Sequence, residues 1–181
     1  MRIALTGASS SGKTTLARRY VDLHPSVPLV NVDARKLLDE LGVRNTSTMS
    51  SAVYSKFQRR YVAVKASSES RFLRFLTERS FVDAYAFWLV HCAADASARE
   101  NRQMLQLCKR FASNYHYHFF LPYGLVPHAD DGYRHPDRTY HYTISGKIYS
   151  LLCEWELPFE TLEVADLAQR IERMHRALGQ R

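Results

Sequence analysis

The stretch Gly7-Ala8-Ser9-Ser10-Ser11-Gly12-Lys13-Thr14 constrains this chain more than any other. It satisfies the pattern G-x-x-x-x-G-K-[ST] at every fixed position, and the pattern works only between a buried strand and the start of a helix. Arg2-Ile3-Ala4-Leu5-Thr6 reads as that strand. Thr15 to Leu23 reads as that helix, with Leu16, Tyr20 and Leu23 on one face. Gly7 and Gly12 let the backbone turn with no Cβ in the way. The loop amides then face a chain of phosphates, aided by the positive end of the helix. Lys13 brings a compact cation to the β- and γ-phosphates of ATP, and the Thr14 hydroxyl is the expected Mg²⁺ ligand. Ser9, Ser10, Ser11 and Thr15 complete the expected nucleotide cradle. The motif implies a bound nucleoside triphosphate and leaves open what its energy is used for.

A length of 181 residues suits one α/β domain spanning 1–181, and 46% hydrophobic residues are enough for a sizeable core. No run is long and apolar enough to cross a membrane. The chain enters its first strand at once, without a signal-peptide pattern, so a cytoplasmic protein is expected. Cys92, Cys108 and Cys153 form no C-x-x-C pair, which fits reduced thiols and argues against structural zinc. The net charge is +7, carried by 19 Arg against 6 Lys. Arg forks pair bidentately with phosphates, so this bias suits several phosphates or a DNA backbone; a solvated basic surface explains it equally well.

Further along, strands and helices alternate. Leu29–Val32 reads as a second strand ending at Asp33, followed by a helix over Ala34–Leu41 that closes at Gly42. A long helix is expected over Ala52–Ser67, with Val53, Phe57, Tyr61 and Val64 inward and Lys56, Arg59, Arg60 and Lys65 outward. Arg71–Thr77 reads as strand three, and helices are predicted over Phe81–Ala93 and Ala96–Ser113. Tyr115–Leu121 reads as strand four. A polar loop over 124–137 precedes a helix over Arg138–Trp155, strand five over Phe159–Leu162 and a last helix over Val164–Leu178. The predicted fold is therefore α/β, with three layers and five parallel strands between helices, in the order 2-3-1-4-5. Ligands in such sheets bind at the carboxyl ends of the strands, where Gly7, Asp33, Glu78 and Pro122 fall.

Those strand ends supply the chemistry. Asp33 is placed to take a proton from an acceptor hydroxyl, and equally to cap the next helix. Glu78 is placed to hold Mg²⁺, and Arg79 to bind a phosphate or orient an acceptor. A salt bridge at a helix start is the structural alternative for that pair. Asp83, one helical turn on, either steers Arg79 or caps the helix.

Glu78-Arg79-Ser80 resembles the Glu-Arg-Ser motif of deoxyribonucleoside kinases and the Asp-Arg-Ser version of thymidylate kinases and nicotinamide-riboside kinase-like P-loop proteins. The run Glu78-Arg-Ser-Phe-Val-Asp-Ala-Tyr-Ala-Phe87 is especially similar to the last group. Asp131-Gly132-Tyr133-Arg134 resembles their lid segment, and Gln58 resembles the glutamine that reads the base in deoxyribonucleoside kinases. The resemblance covers nearly the whole chain in element order but rests on these few short motifs. It implies a P-loop kinase fold, Asp33 as catalytic base, a lid at about 124–137 and lid arginines Arg134 and Arg138 closing on phosphates. The implied activity is ATP-dependent phosphoryl transfer to a hydroxyl of a nucleotide-type acceptor. The expected catalytic set is Asp33, Lys13, Arg79 and Arg134. Thr14 and Glu78 are expected on the metal, and Asp33, Gln58, Arg79, Asp83 and Arg138 around the acceptor. The basic charge departs from the nicotinamide-riboside pattern and makes 5-hydroxymethyluracil within DNA, phosphorylated by phage enzymes of similar type, a leading specific acceptor. A free deoxynucleoside, nicotinamide riboside or a deoxynucleoside monophosphate is the alternative. A nucleotide-dependent ATPase or switch is the alternative of another class.

His116 and His118 share a face of strand four, and His128, His135 and His141 follow. Without matching carboxylates or cysteines they are expected to pack rather than to bind metal, with His135 and His141 candidates for the acceptor pocket. Tyr85, Phe87, Trp88, Tyr133, Tyr140 and Tyr142 are mostly core, with two or three expected against ligand.

Overall fold

A computed structural model describes residues 1–44, 46–127 and 135–179. Strands β1 (Arg2–Thr6), β2 (Phe75–Glu78), β3 (Tyr117–Phe120) and β4 (Phe159–Thr161) form one parallel sheet in the order β2-β1-β3-β4. The helices are α1 (Lys13–Leu23), α2 (Ala34–Glu40), α3 (Ser51–Glu69), α4 (Phe81–His91), α5 (Ala98–Ala112), α6 (Arg138–Glu154) and α7 (Leu167–Ala177).

Side-chain alternation along the strands assigns the helices to two layers. Ile3 and Leu5 of β1, Leu76 of β2 and Phe119 of β3 pack with Leu16 and Tyr20 of α1 and Ile171 and Met174 of α7. Ala4, Phe75 and Phe120, on the opposite face, pack into the larger core with α3, α4, α5 and α6. A sheet apolar on both faces has to be covered on both, which is why its strands lack the polar-out alternation of a half-exposed sheet.

The sheet has four strands among the described residues, where the sequence predicts five. The expected second strand is reduced to a parallel bridge between Leu29 and Leu76 beside β2. Val30 N–H donates to Leu76 O at 2.8 Å and Leu76 N–H to Pro28 O at 3.0 Å, so the segment docks where strand two is expected. It goes no further because the Asn31 side chain takes over the pairing: its Oδ1 accepts from Glu78 N–H at 2.7 Å. The four full strands keep the predicted relative order.

Two other expectations need correction. β2 begins at Phe75 rather than Arg71, because α3 continues to Glu69 and the chain then turns, leaving Leu73 86% exposed. Lys65 is not on the outer side of α3 but fully buried. The inward face of α3 is set by Tyr54, Phe57, Gln58, Tyr61, Val62, Lys65 and Glu69, a stripe rotated from the predicted one. Lys65 Nζ pairs with Glu69 at 2.6 Å and donates to Thr77 Oγ1 at 2.8 Å, and Tyr115 OH donates to Glu69 at 2.9 Å. Arg59 and Arg60 do lie outside, paired with Glu100 and Glu40.

The buried pair gives a stability prediction. Glu69→Leu strands the Lys65 charge and should cost about 3–5 kcal/mol in denaturant unfolding. Lys65→Met/Glu69→Leu together should recover most of that loss, because two apolar side chains replace an ion pair whose desolvation offsets its attraction.

Candidate active site

The carboxyl end of β1 runs into the glycine loop, and a cleft of about 830 Å³ opens above it. Loop shape is set by backbone that only small residues tolerate. Gly7 has φ +146°, and a Cβ there would collide with the carbonyl of Leu121. Gly12 has φ +90° and is the residue before α1; Ser10, at φ 59°, adopts the left-handed region without being glycine. Lys13 Nζ folds over the loop, donating to Gly7 O at 2.8 Å, Ala8 O at 2.6 Å and Ser11 Oγ at 3.1 Å. Its ammonium therefore stands at the centre of the ring of backbone it helps to hold.

The residues expected to hold metal are brought together. Thr14 Oγ1 donates to Glu78 Oε2 at 2.6 Å, so the first turn of α1 and the end of β2 present two oxygen donors at one point. Asn31, which the sequence reading did not single out, fixes Glu78 from the other side by donating to Oε1 at 2.9 Å. An asparagine two residues before Asp33 carries no motif, so only the structure reveals its part.

Arg79 also lies in the cleft. Its backbone extends the β1–β2 ladder by donating to Leu5 O at 2.8 Å, then turns at φ 63°. That strained turn aims the guanidinium across the loop, where Nη2 donates to Ser9 Oγ at 3.1 Å and Cζ sits 5.2 Å from the Phe87 ring centre. Asp83 caps rather than steers. It is 1% exposed, accepts from Gly7 N–H at 2.9 Å, Ser80 N–H at 2.6 Å and Ser80 Oγ at 3.0 Å, and is bonded by Thr6 Oγ1. With Ser80 it forms a capping box at the start of α4. Its oxygens are consumed by the fold, so we assign it to the scaffold rather than to the acceptor.

Asp33 is exposed, lines the cleft and caps α2, with Oδ1 accepting from Lys36 N–H at 3.0 Å. Gln58 is 3% exposed and lines the cleft, and its Oε1 has no hydrogen-bond partner among the described residues. A buried amide oxygen left unbonded costs free energy unless something else completes it, and the cleft is where that something enters. Arg138 stands exposed at the start of α6 and is not among the cleft's lining residues. Arg134 and the segment 128–134 lie outside the described residues, as does Tyr133.

The aromatic wall differs in membership from the expected one. Tyr85 and Trp88 are core, and Tyr142 is 53% exposed. Phe87 and Tyr140 line the cleft, joined by Tyr54, Phe57 and Tyr61 from α3. Tyr54 stacks on His91 with ring centres 3.8 Å apart, and His91 Nε2 shares a hydrogen bond with Tyr140 OH at 2.8 Å. Burial, reinforced by His135, lowers His91 to a pKa of about 4. Helical spacing on α3 contained this signal, since Tyr54, Phe57, Gln58 and Tyr61 follow the i, i+3, i+4, i+7 pattern.

His116 is exposed, and His128 lies outside the described residues. His116 Nδ1 accepts from Arg2 N–H at 3.0 Å, and no group of three or more metal-ligating side chains occurs among the described residues. His135 stacks on Tyr140 and His141 bonds the His135 carbonyl, at the mouth of the cleft. His118 is fully buried, and burial holds its pKa at about 4.

The sheet order and the glycine loop give a parallel P-loop fold that the chain shares with several solved structures. The chain superposes on deoxyadenosine kinase from M. mycoides with bound products at a TM-score of 0.72 and 13% identity, covering 99% of this chain and 98% of that one. Thymidylate kinase from Ehrlichia chaffeensis gives 0.65 and 12%, covering 98% of each. NadR protein in complex with NR gives 0.68 and 14%; the chain is 99% covered but spans only 52% of that protein. A family model described as an AAA domain (AAA_28) matches residues 2–170, and the chain belongs to that family. No curated protein sequence matches it.

His118 gives a pH prediction. A histidine with a folded pKa near 4 and an unfolded value near 6.5 favours folding above pH 6.5, and that stability is lost as pH falls through 6.5 towards 4. Over this window His118→Phe should flatten the pH slope of the unfolding free energy by about one proton, roughly 1.4 kcal/mol per pH unit. Parallel slopes in chemical denaturation would show that His118 does not carry the dependence.

Proposed function

We propose that this chain is an ATP-dependent kinase that transfers a phosphoryl group to a hydroxyl of a nucleoside or nucleotide unit. The observation that carries the reading is that one cleft is lined both by a glycine loop with Lys13 and by Gln58 among aromatic rings, with the buried Gln58 amide oxygen unbonded among the described residues. The first suits a triphosphate and the second suits a base. Gln58 Oε1 accepts a base N–H, and Tyr54, Phe57, Tyr61 and Phe87 supply faces for stacking. Two proteins that share the fold bear kinase names, deoxyadenosine kinase and thymidylate kinase, and a third is NadR in complex with NR.

In this reading Lys13 and the loop amides bind the β- and γ-phosphates and hold them in line with the acceptor. Asp33 Oδ2, free of the cap contact made by Oδ1, takes the proton from the acceptor hydroxyl. Arg79 lies where it meets charge on the moving phosphoryl or orients the acceptor. Thr14 Oγ1 and Glu78 Oε2, both hard oxygen donors at one point, fit Mg²⁺. Bound there, Mg²⁺ neutralises charge that develops on the phosphate oxygens. Arg134 and Arg138 remain candidates for closing the site from the lid. The net charge of +7 supports a nucleotide unit within DNA, 5-hydroxymethyluracil in particular, over a free deoxynucleoside, nicotinamide riboside or monophosphate.

The test is transfer of label from γ-labelled ATP to a panel of nucleosides, deoxynucleoside monophosphates, and duplex DNA with and without 5-hydroxymethyluracil, at low and high salt. Label in DNA that falls steeply with salt supports the DNA reading, and label in a small molecule replaces it with a metabolic acceptor. Label in free phosphate alone overturns the kinase reading in favour of an ATPase or switch. Lys13→Ala should lower kcat/KM about a hundredfold or more. Asp33→Asn should lower kcat about a hundredfold or more while ATP still binds; unchanged turnover would remove Asp33 as the base.

A further inference from the structure

Beside the phosphate loop stands a cation that no motif announces. Arg170, in the first turn of α7, is 2% exposed. Its Nε donates to Val164 O at 2.6 Å and its Nη1 to Ser11 O at 3.0 Å. Nη2 is buried without a partner, and no carboxylate pairs with Arg170 among the described residues. Every general rule disfavours this placement. Among the described residues it is a buried charge without a counter-ion, set at the positive end of a helix. Packing of α1 against α7 does not need it, since Ile171 and Met174 already join that core. What the cation does touch is the loop. The bond to Ser11 O holds that carbonyl on the outer side. Because the peptide is planar and trans, the N–H of Gly12 in the same peptide points the opposite way. Gly12 has φ +90°, and a Cβ there would lie 2.6 Å from Arg170 Nη1, so a side chain at this position would displace the guanidinium.

We propose that Arg170 is a positioning residue for the polyphosphate. It fixes the Ser11–Gly12 peptide so that the loop amides face the anion, and it sets beside them a positive charge with no counter-ion among the described residues, making α7 part of the nucleotide site. The counter-charge missing among the described residues is then the phosphate chain of a ligand in the cleft that Arg170 helps to line. The ligand class is a nucleoside di- or triphosphate or any linear polyphosphate. The assignment rests on the loop being a working phosphate site.

The test is calorimetric titration of the full chain with ATP, ADP and inorganic tripolyphosphate, alongside thermal unfolding, for wild type and Arg170→Met, →Gln and →Lys. Arg170→Met should weaken tripolyphosphate, ADP and ATP by about tenfold to a hundredfold, the range of a hydrogen-bonded charge. Arg170→Lys should recover part of the loss, and Arg170→Gln, which keeps a donor without the charge, should recover less. A purely structural role would lower the unfolding temperature with tripolyphosphate affinity within about twofold of wild type, and that result overturns the proposal. Should the Met variant not fold, equal tripolyphosphate affinity in the Gln and Lys variants overturns it instead. Wild type that binds tripolyphosphate but not ATP, with the Met variant weaker, sinks the ATP reading and leaves Arg170 its role. Wild type that binds neither removes both.

Discussion

The carboxylate of Asp83 is the contact on which the site depends. It lies at the junction of three elements: Thr6 ends β1, Gly7 opens the phosphate loop and Ser80 begins α4, and each donates to it. A carboxylate this deeply enclosed is tolerable only when hydrogen bonds replace its lost hydration. Four donors do so, which fixes the loop entrance relative to α4. Arg79 and Phe87 lie just before and within α4, so the same contact positions the guanidinium and one wall of the cleft. A rigid junction of this kind gives the glycine loop one conformation.

From this junction the site divides along the sheet. β1 carries the loop, and β2, directly paired with it, carries Glu78 and Arg79. α1 presents Thr14 towards Glu78. α2 begins at Asp33 beside the shortened edge segment, and α3 contributes the ring-lined face around Gln58. Parallel strands put all these ends on one side, so residues far apart in sequence meet without any long loop having to reach them. The double coverage of the sheet gives the backbone its rigidity, and the helix N-termini supply the amides.

The phosphate loop, most of the strands and the acid-arginine pair are legible because each is local: fixed spacing or short apolar runs encode them. What the sequence hid depends on contacts distant along the chain. The second strand looked sound as Leu29–Val32, but its pairing passes to the Asn31 side chain once β2 brings Glu78 alongside. Lys65 read as surface because lysine usually is; only Glu69 and Thr77, placed by α3 and β2, make its burial tolerable. Asp83 offered two roles at equal sequence cost, and the capping box decided between them. Arg170 carried no signal, since its partner is a backbone carbonyl 159 residues away.

The same distribution of charge bears on what the +7 means. Among the described residues, the cleft lining holds Lys13, Arg18, Arg35, Arg79 and Arg170 against Asp33, Glu78 and Asp83. Lys13 and Arg170 are buried at the loop and are unavailable to a DNA backbone. Part of the basic excess is therefore the counter-charge of the nucleotide site, present whatever the acceptor. Exposed Arg59 and Arg60 on α3 are each held by a glutamate, which spaces them and fixes their forks. A polyanion approaching that helix must compete with these carboxylates as well as with salt. The excess left for a DNA partner is smaller than the composition suggests. Salt dependence of phosphoryl transfer, more than net charge, is the quantity that separates a DNA acceptor from a small one.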